Sequence, residues 1–166
     1  MEIIYGVCSW GLGHATRSLP VIRKLLSEHH HVTVISHDRS LEVLKKELGD
    51  AATYADIPDY PMLLSENTRQ FLAKSMVYWP VFIKKIEDGL AALQKILNQR
   101  HYDCIISDAR YDMYSKKIPS FFISHQMRIM NPLRIKTFER AMERFNLFFF
   151  NRFVGIMVPD YQDHSL

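Results

Sequence analysis

The chain has 166 residues, 48% of them apolar and 23% charged, and a formal net charge of +3. That is the length of one domain with a real core and the composition of a soluble globular protein. The mild charge gives no reason to expect a nucleic-acid partner, and no apolar stretch is long enough to cross a bilayer.

Residues 2–8 read as an apolar strand, followed directly by Gly11-Leu12-Gly13-His14-Ala15-Thr16-Arg17. Glycines let the main chain turn sharply and approach a ligand closely. The helix behind them brings unpaired amides and the positive end of its dipole. His14 accepts a proton near neutral pH and Arg17 can hold a phosphate or carboxylate, so the turn points to chemistry as well as binding. Ala15, Leu19, Ile22 and Leu26 make a helical stripe. Pro20, tolerated only early in a helix, places the first regular turn between His14 and Arg17.

His31–Ser36 is a β-branched second strand, 41–48 a short helix capped by Asp38 or Ser40, and 51–57 a weaker third strand. After an irregular segment at 58–68, helices are expected over 69–78 and 81–97, with Pro80 at the first turn of the second. A fourth strand over 102–107 ends in Asp108, and a fifth over 120–124 ends in His125 and Gln126. A helix over 134–149 and a sixth strand over 153–158 complete the order.

Apolar strands alternating with amphipathic helices predict an α/β fold: a doubly wound, mostly parallel Rossmann-like sheet of about six strands with helices on both faces. Ligands of such sheets sit beyond the carboxyl ends of the strands, at the switch point. His14, His37 with Asp38, Asp108 with Arg110, and His125 with Gln126 all fall there. With strand one central and strand four beside it, His14 and Asp108 become neighbours. A carboxylate beside an imidazole holds its orientation and stabilises the imidazolium formed on proton uptake. With no nucleophilic Ser or Cys motif nearby, such a pair suits deprotonating a substrate hydroxyl. The plainer alternative has His14 hydrogen-bonding the turn and Asp108 capping the next segment.

A dinucleotide fingerprint needs a third glycine where Thr16 stands, although Asp38 occupies the place of a ribose-binding acid. His29-His30-His31 reads as a helix end suited to the dipole, not as a metal site. Cys8 and Cys104 fall in strand-like runs and read as reduced, buried thiols of a cytoplasmic protein. Between 133 and 153, Phe138, Phe145, Phe148, Phe149, Phe150 and Phe153 alternate with basic residues. A peripheral contact with an anionic membrane is one reading of that segment, and a buried aromatic helix face is the favoured one.

Three stretches together resemble the N-terminal half of a GT-B glycosyltransferase: the glycine turn through Arg17, Tyr102-Asp-Cys-Ile-Ile-Ser-Asp108, and Ile118-Pro-Ser-Phe-Phe-Ile-Ser-His-Gln126. The likeness is to the bacterial and archaeal group that includes the N-acetylglucosaminyltransferase of peptidoglycan synthesis and the UDP-sugar transferases, and it covers nearly the whole chain. It implies two facing Rossmann-like domains, with the acceptor on the N-terminal one and the nucleotide-sugar donor on the C-terminal one, and no cofactor or metal. His14 matches the position that acts as base toward the acceptor hydroxyl, and Asp108 is similar to its acidic partner. Arg17 and the amides around Gly11 and Gly13 would hold the acceptor or its phosphates, while Ser107, Arg110, His125 and Gln126 would line the cleft. A whole enzyme of this kind is roughly twice as long. The resemblance therefore implies a donor domain outside this sequence, as a continuation or a separate subunit, without which the chain is inactive. A non-catalytic partner-binding subunit and an NAD- or nucleotide-binding enzyme using Asp38 are the alternatives; sugar-nucleotide epimerases also pair two domains of this kind.

Overall fold

A computed structural model describes residues 1–60, 68–124 and 136–159. Along the chain run β1 (Glu2–Val7), α1 (Leu12–Ser27), β2 (His31–Ser36), α2 (Asp38–Leu48), β3 (Thr53–Asp56), α3 (Thr68–Leu97), β4 (Cys104–Asp108), β5 (Ser120–Ile123), α4 (Lys136–Phe150) and β6 (Gly155–Met157). The six strands form one parallel sheet in the order β3-β2-β1-β4-β5-β6. The fold is α/β and Rossmann-like. The order reverses between β1 and β4, and the register there pairs Val7 with Asp108.

Both faces of the sheet are covered, which is why the strands read as continuous apolar runs. Tyr5, Val7, Val32 and Val34 pack against Ala15, Leu19 and Ile22 of α1 and Leu44 and Leu48 of α2. Their neighbours Ile4, Ile35 and Ile105 point the other way, onto Leu93 of α3 and Met113. Toward the carboxyl end of that second face, Tyr60, Ile86 and Phe149 gather Trp10, Phe82, Tyr111 and Phe145 around them. Phe122, Phe150 and Phe153 continue the layer under β5 and β6.

The prolines depart from expectation. Helix α1 begins at Leu12, ahead of His14, and carries Pro20 inside it. Helix α3 is a single 30-residue element that runs through Pro80 instead of breaking there. Both prolines are exposed, so water can satisfy the carbonyl that each deprives of a donor, and the packed stripe of each helix carries the turns onward. Helix α2 starts at Asp38 with no side-chain cap; Ser40 instead donates to the Gly11 carbonyl across 3.3 Å, tying α2 to the glycine turn. In α4, Phe149 and Phe150 turn inward, whereas Leu147 and Phe148 are exposed. Among the described residues no helix is long and apolar enough to cross a membrane.

Candidate active site

The site forms where β1 hands the chain to α1. Gly11 holds φ at 76°, a left-handed conformation that glycine adopts without steric cost, and this sends the chain from the strand end straight into the helix. His14, Arg17 and Ser18 then stand at i, i+3 and i+4, one face of the first turns. That face looks across the sheet edge at Asp108, the last residue of the neighbouring strand β4.

All three helix residues converge on this carboxylate. His14 Nδ1 lies 3.0 Å from Asp108 Oδ1. Arg17 donates from Nε to Oδ2 at 2.9 Å, and its terminal Nη2 contacts Oδ1. Ser18 Oγ donates to Oδ2 at 2.7 Å. The Asp108 side chain is 1% exposed, against 16% for His14 and 26% for Arg17, so the carboxylate is sealed beneath while imidazole and guanidinium reach the rim. Burial alone would raise the Asp108 carboxyl; its contacts with Arg17, His14 and Ser18 more than reverse this and hold it below its ordinary value. Its hydrogen bond to Asp108 keeps the Arg17 guanidinium still more firmly protonated. An imidazole oriented by an ionised carboxylate at a solvent-facing rim can accept a proton and have the resulting charge stabilised.

Neighbouring loops brace this turn. The Ser9 amide and hydroxyl donate to Asp59 at 2.7 and 2.5 Å, and Trp10 Nε1 donates to the Tyr60 carbonyl at 2.7 Å. Tyr60 in turn donates its hydroxyl to the carbonyl of Ala109 at 2.7 Å. The loops after β1, β3 and β4 are thereby locked together. Nothing in the local pattern at 58–60 beyond one aspartate marked it as a brace, and sequence reasoning missed it.

The remaining expected site residues divide. Ser107 and Arg110 do not join the rim: both are fully buried on the α3 side of the sheet. Ser107 donates to the Arg110 carbonyl at 2.5 Å. The Arg110 side chain is paired to Asp112 through Nε at 3.0 Å and Nη2 at 2.5 Å, with Nη1 on the Ile57 carbonyl at 2.8 Å. Burial would make Arg110 easier to deprotonate, yet the Asp112 charge and hydrogen bonds outweigh it and raise the guanidinium above its ordinary value. The cause of the placement is strand alternation, since Ser107 must face opposite to Asp108. His125 and Gln126 lie outside the described residues. Gly13 sits exposed in the first turn of α1, with open space where a Cβ would stand. Asp38 is exposed at the end of β2, beside His37, whose Nδ1 lies 2.7 Å from Asp56. Among the described residues no group of three or more metal-ligating side chains comes together. A cleft of about 710 Å³ opens at the opposite, amino-terminal edge of the sheet between Leu93, Tyr102, Lys117 and Ile118, and shares no residue with the dyad.

The family model described as glycosyl transferase family 1 matches residues 1–115, from β1 through the Asp108 rim. The chain belongs to glycosyl transferase family 1. It is 28% identical to an uncharacterized glycosyltransferase of Methanosarcina acetivorans over 97% of this chain and 42% of that protein. Among solved structures it is similar to UGT2 of Phytolacca americana, with a TM-score of 0.60 at 15% identity over 98% of this chain and 46% of the other. That plant protein has also been solved with UDP-2-fluoroglucose and pterostilbene. It is likewise similar to the UDP-GlcNAc 2-epimerase of Methanocaldococcus jannaschii, at 12% identity and a TM-score of 0.55 over 96% of this chain and 40% of that one. At these identities the structures share a fold with this family member. The chain spans less than half the length of the curated relatives it matches.

Proposed function

We propose that this chain is the acceptor-binding half of an inverting glycosyltransferase. The acceptor hydroxyl sits at the carboxyl rim of the sheet, while a second α/β unit, continuous or separate, presents a nucleotide sugar. The far ring nitrogen of His14 takes the hydroxyl proton as the acceptor oxygen bonds to the anomeric carbon. The nucleotide leaves from the opposite side with the bonding electron pair. Asp108 holds Nδ1 and stabilises the imidazolium. The observation that carries this reading is the 3.0 Å contact between His14 Nδ1 and Asp108 Oδ1 at the switch point of the sheet. It is supported by family membership and by the UDP-2-fluoroglucose and pterostilbene held by the plant protein of similar fold.

The test is transfer from a UDP-sugar by this chain supplied with a donor half. His14→Ala is expected to lower turnover about 10²–10⁴-fold, the usual effect of removing a general base; a loss of only a few-fold overturns the assignment. The chain alone is expected to show no turnover, and robust transfer by it would overturn the proposal that a donor half is missing. A second reading, a non-catalytic partner-binding subunit, is favoured by the exposed Leu147, Phe148 and Val154. Partner capture combined with transfer indifferent to His14 would select it.

A further inference from the structure

The Arg17 guanidinium touches His14 as well as Asp108. Its Nη2 lies 2.8 Å from His14 Nδ1, the same ring nitrogen that stands 3.0 Å from Asp108 Oδ1. A guanidinium nitrogen only donates, and a neutral imidazole nitrogen either carries a proton or accepts one. Nδ1 is therefore asked for opposite things. Facing the carboxylate it must hold a proton, and facing the guanidinium it must offer a lone pair. If Nδ1 carried the proton, two donors would confront each other at 2.8 Å. If it offers its lone pair, Nη2 can direct one hydrogen to Nδ1 and the other to Oδ1, and the guanidinium charge shared between them offsets the repulsion of the lone pair and the carboxylate 3.0 Å apart. Arg17 is also fixed on the carboxylate through Nε, so the fork arrives at Nδ1 already oriented.

We infer that Arg17 holds His14 in the Nε2–H tautomer in the free chain, a resting arrangement in which the ring cannot act as base through Nε2. The inference rests on the reading of His14 as that base. Activation then consists of the guanidinium leaving Nδ1. Nδ1 takes a proton from water and donates it in a hydrogen bond to Asp108 Oδ1, and the imidazolium so formed releases its Nε2 proton to water. The ring is left with its lone pair toward the rim. Arg17 is a positioning residue in this scheme: it acts through the imidazole and touches no reacting atom. Its partial exposure makes the movement open to ligand binding at the same rim.

Long-range ¹H–¹⁵N correlation of the imidazole nitrogens in the full 166-residue chain, with the His14 signals identified by their loss in His14→Gln, reads the tautomer directly. Under alkaline conditions that keep the ring neutral, the wild type is expected to show Nε2–H in excess of about tenfold, the effect of one charge-assisted hydrogen bond. Arg17→Met keeps the stem, removes the donors, and is expected to invert the ratio toward Nδ1–H. Predominant Nδ1–H in the wild type overturns the inference without any variant, so a misfolded Arg17→Met leaves the test intact. An unchanged ratio in a folded Arg17→Met overturns it equally. The outcome is separable from transfer: an Nε2–H resting form together with His14-independent turnover would leave the tautomer assignment standing and remove the base.

Discussion

Ser18 Oγ donates to Asp108 Oδ2 across 2.7 Å, although 90 positions separate the two in the chain. Both side chains are buried, so the bond replaces water that the carboxylate can no longer reach. Ser18→Ala is expected to cost about 1–3 kcal/mol, the penalty for under-satisfying a buried charged group. The carboxyl of Asp108 should also rise toward its ordinary value. Urea unfolding measures the first effect and ¹³C titration of the carboxyl the second; a Ser18→Ala chain as stable as the wild type would show that the bond carries no weight.

The depressed carboxyl of Asp108 fixes the sign of an acid effect. A group whose folded value lies below its unfolded one stabilises the fold fully above the unfolded value, here 3.8. That stabilisation is lost as pH falls through the folded value. Asp108→Asn removes this dependence and leaves Arg17 without its counter-ion, at a cost of about 3 kcal/mol near neutral pH. Denaturation midpoints taken between about pH 6 and pH 2 should therefore fall less steeply on the acid side in Asp108→Asn than in the wild type.

Gly89 in α3 predicts a large effect from a small substitution. A Cβ there would lie 2.0 Å from Asp112 Oδ2, and Asp112 cannot withdraw because Arg110 grips it from two nitrogens. Gly89→Ala should destabilise the chain by about 3 kcal/mol, combining overpacking with disturbance of a buried ion pair. At an exposed helix position the same change would stabilise, since alanine is the better helix former. The direction of the shift in the thermal midpoint is therefore decisive.

Two free thiols should separate by reactivity. Burial pushes the Cys8 thiol up to about 12, with the Asp59 carboxylate adding to the rise. Cys104 is raised by its own partial burial and by Asp103, and it is less enclosed than Cys8. The thiolate is the nucleophile, so iodoacetamide at mildly alkaline pH should label Cys104 first and reach Cys8 only on unfolding. Mass spectrometry of the native, labelled chain would show the reverse order if the β1 end opened readily.

Much of this architecture was legible because a parallel sheet covered on both sides writes itself as largely apolar runs, as in β1 and β4, while β3, Thr-Tyr-Ala-Asp with exposed ends, gave a weaker signal. The His14–Asp108 contact was legible for a related reason: ligand-facing polar groups gather beyond strand ends at a switch point, and Asp108 ends β4 while His14 opens the helix that follows β1. Arg110 was misplaced because proximity along the chain was read as proximity at the rim. The parity of β4 turns Ser107 away from the face that Asp108 occupies, and Arg110 follows it into the α3 layer, where Asp112, seated over Gly89, receives it. That seat is set by a helix about twenty positions upstream and has no local signature. Ser18 carried a signal, its i+4 spacing from His14, and the meaning of that spacing emerges only once Asp108 is known to face the helix. The prolines misled because their cost depends on which side of the helix meets water.

The strand order sets a timetable for the nascent polypeptide. β1 is made first yet ends in the middle of the sheet, and its second partner brings Cys104 opposite Ile3. About a hundred residues must emerge before that edge can close, on the order of 5–20 s of synthesis. Through that interval β1 offers bare amide and carbonyl groups to any other extended segment, a standing invitation to mispairing. Release of the polypeptide before Asp108 would leave that edge open for good and take away the carboxylate on which His14, Arg17 and Ser18 converge, so the sheet and the rim would be lost at the same codon.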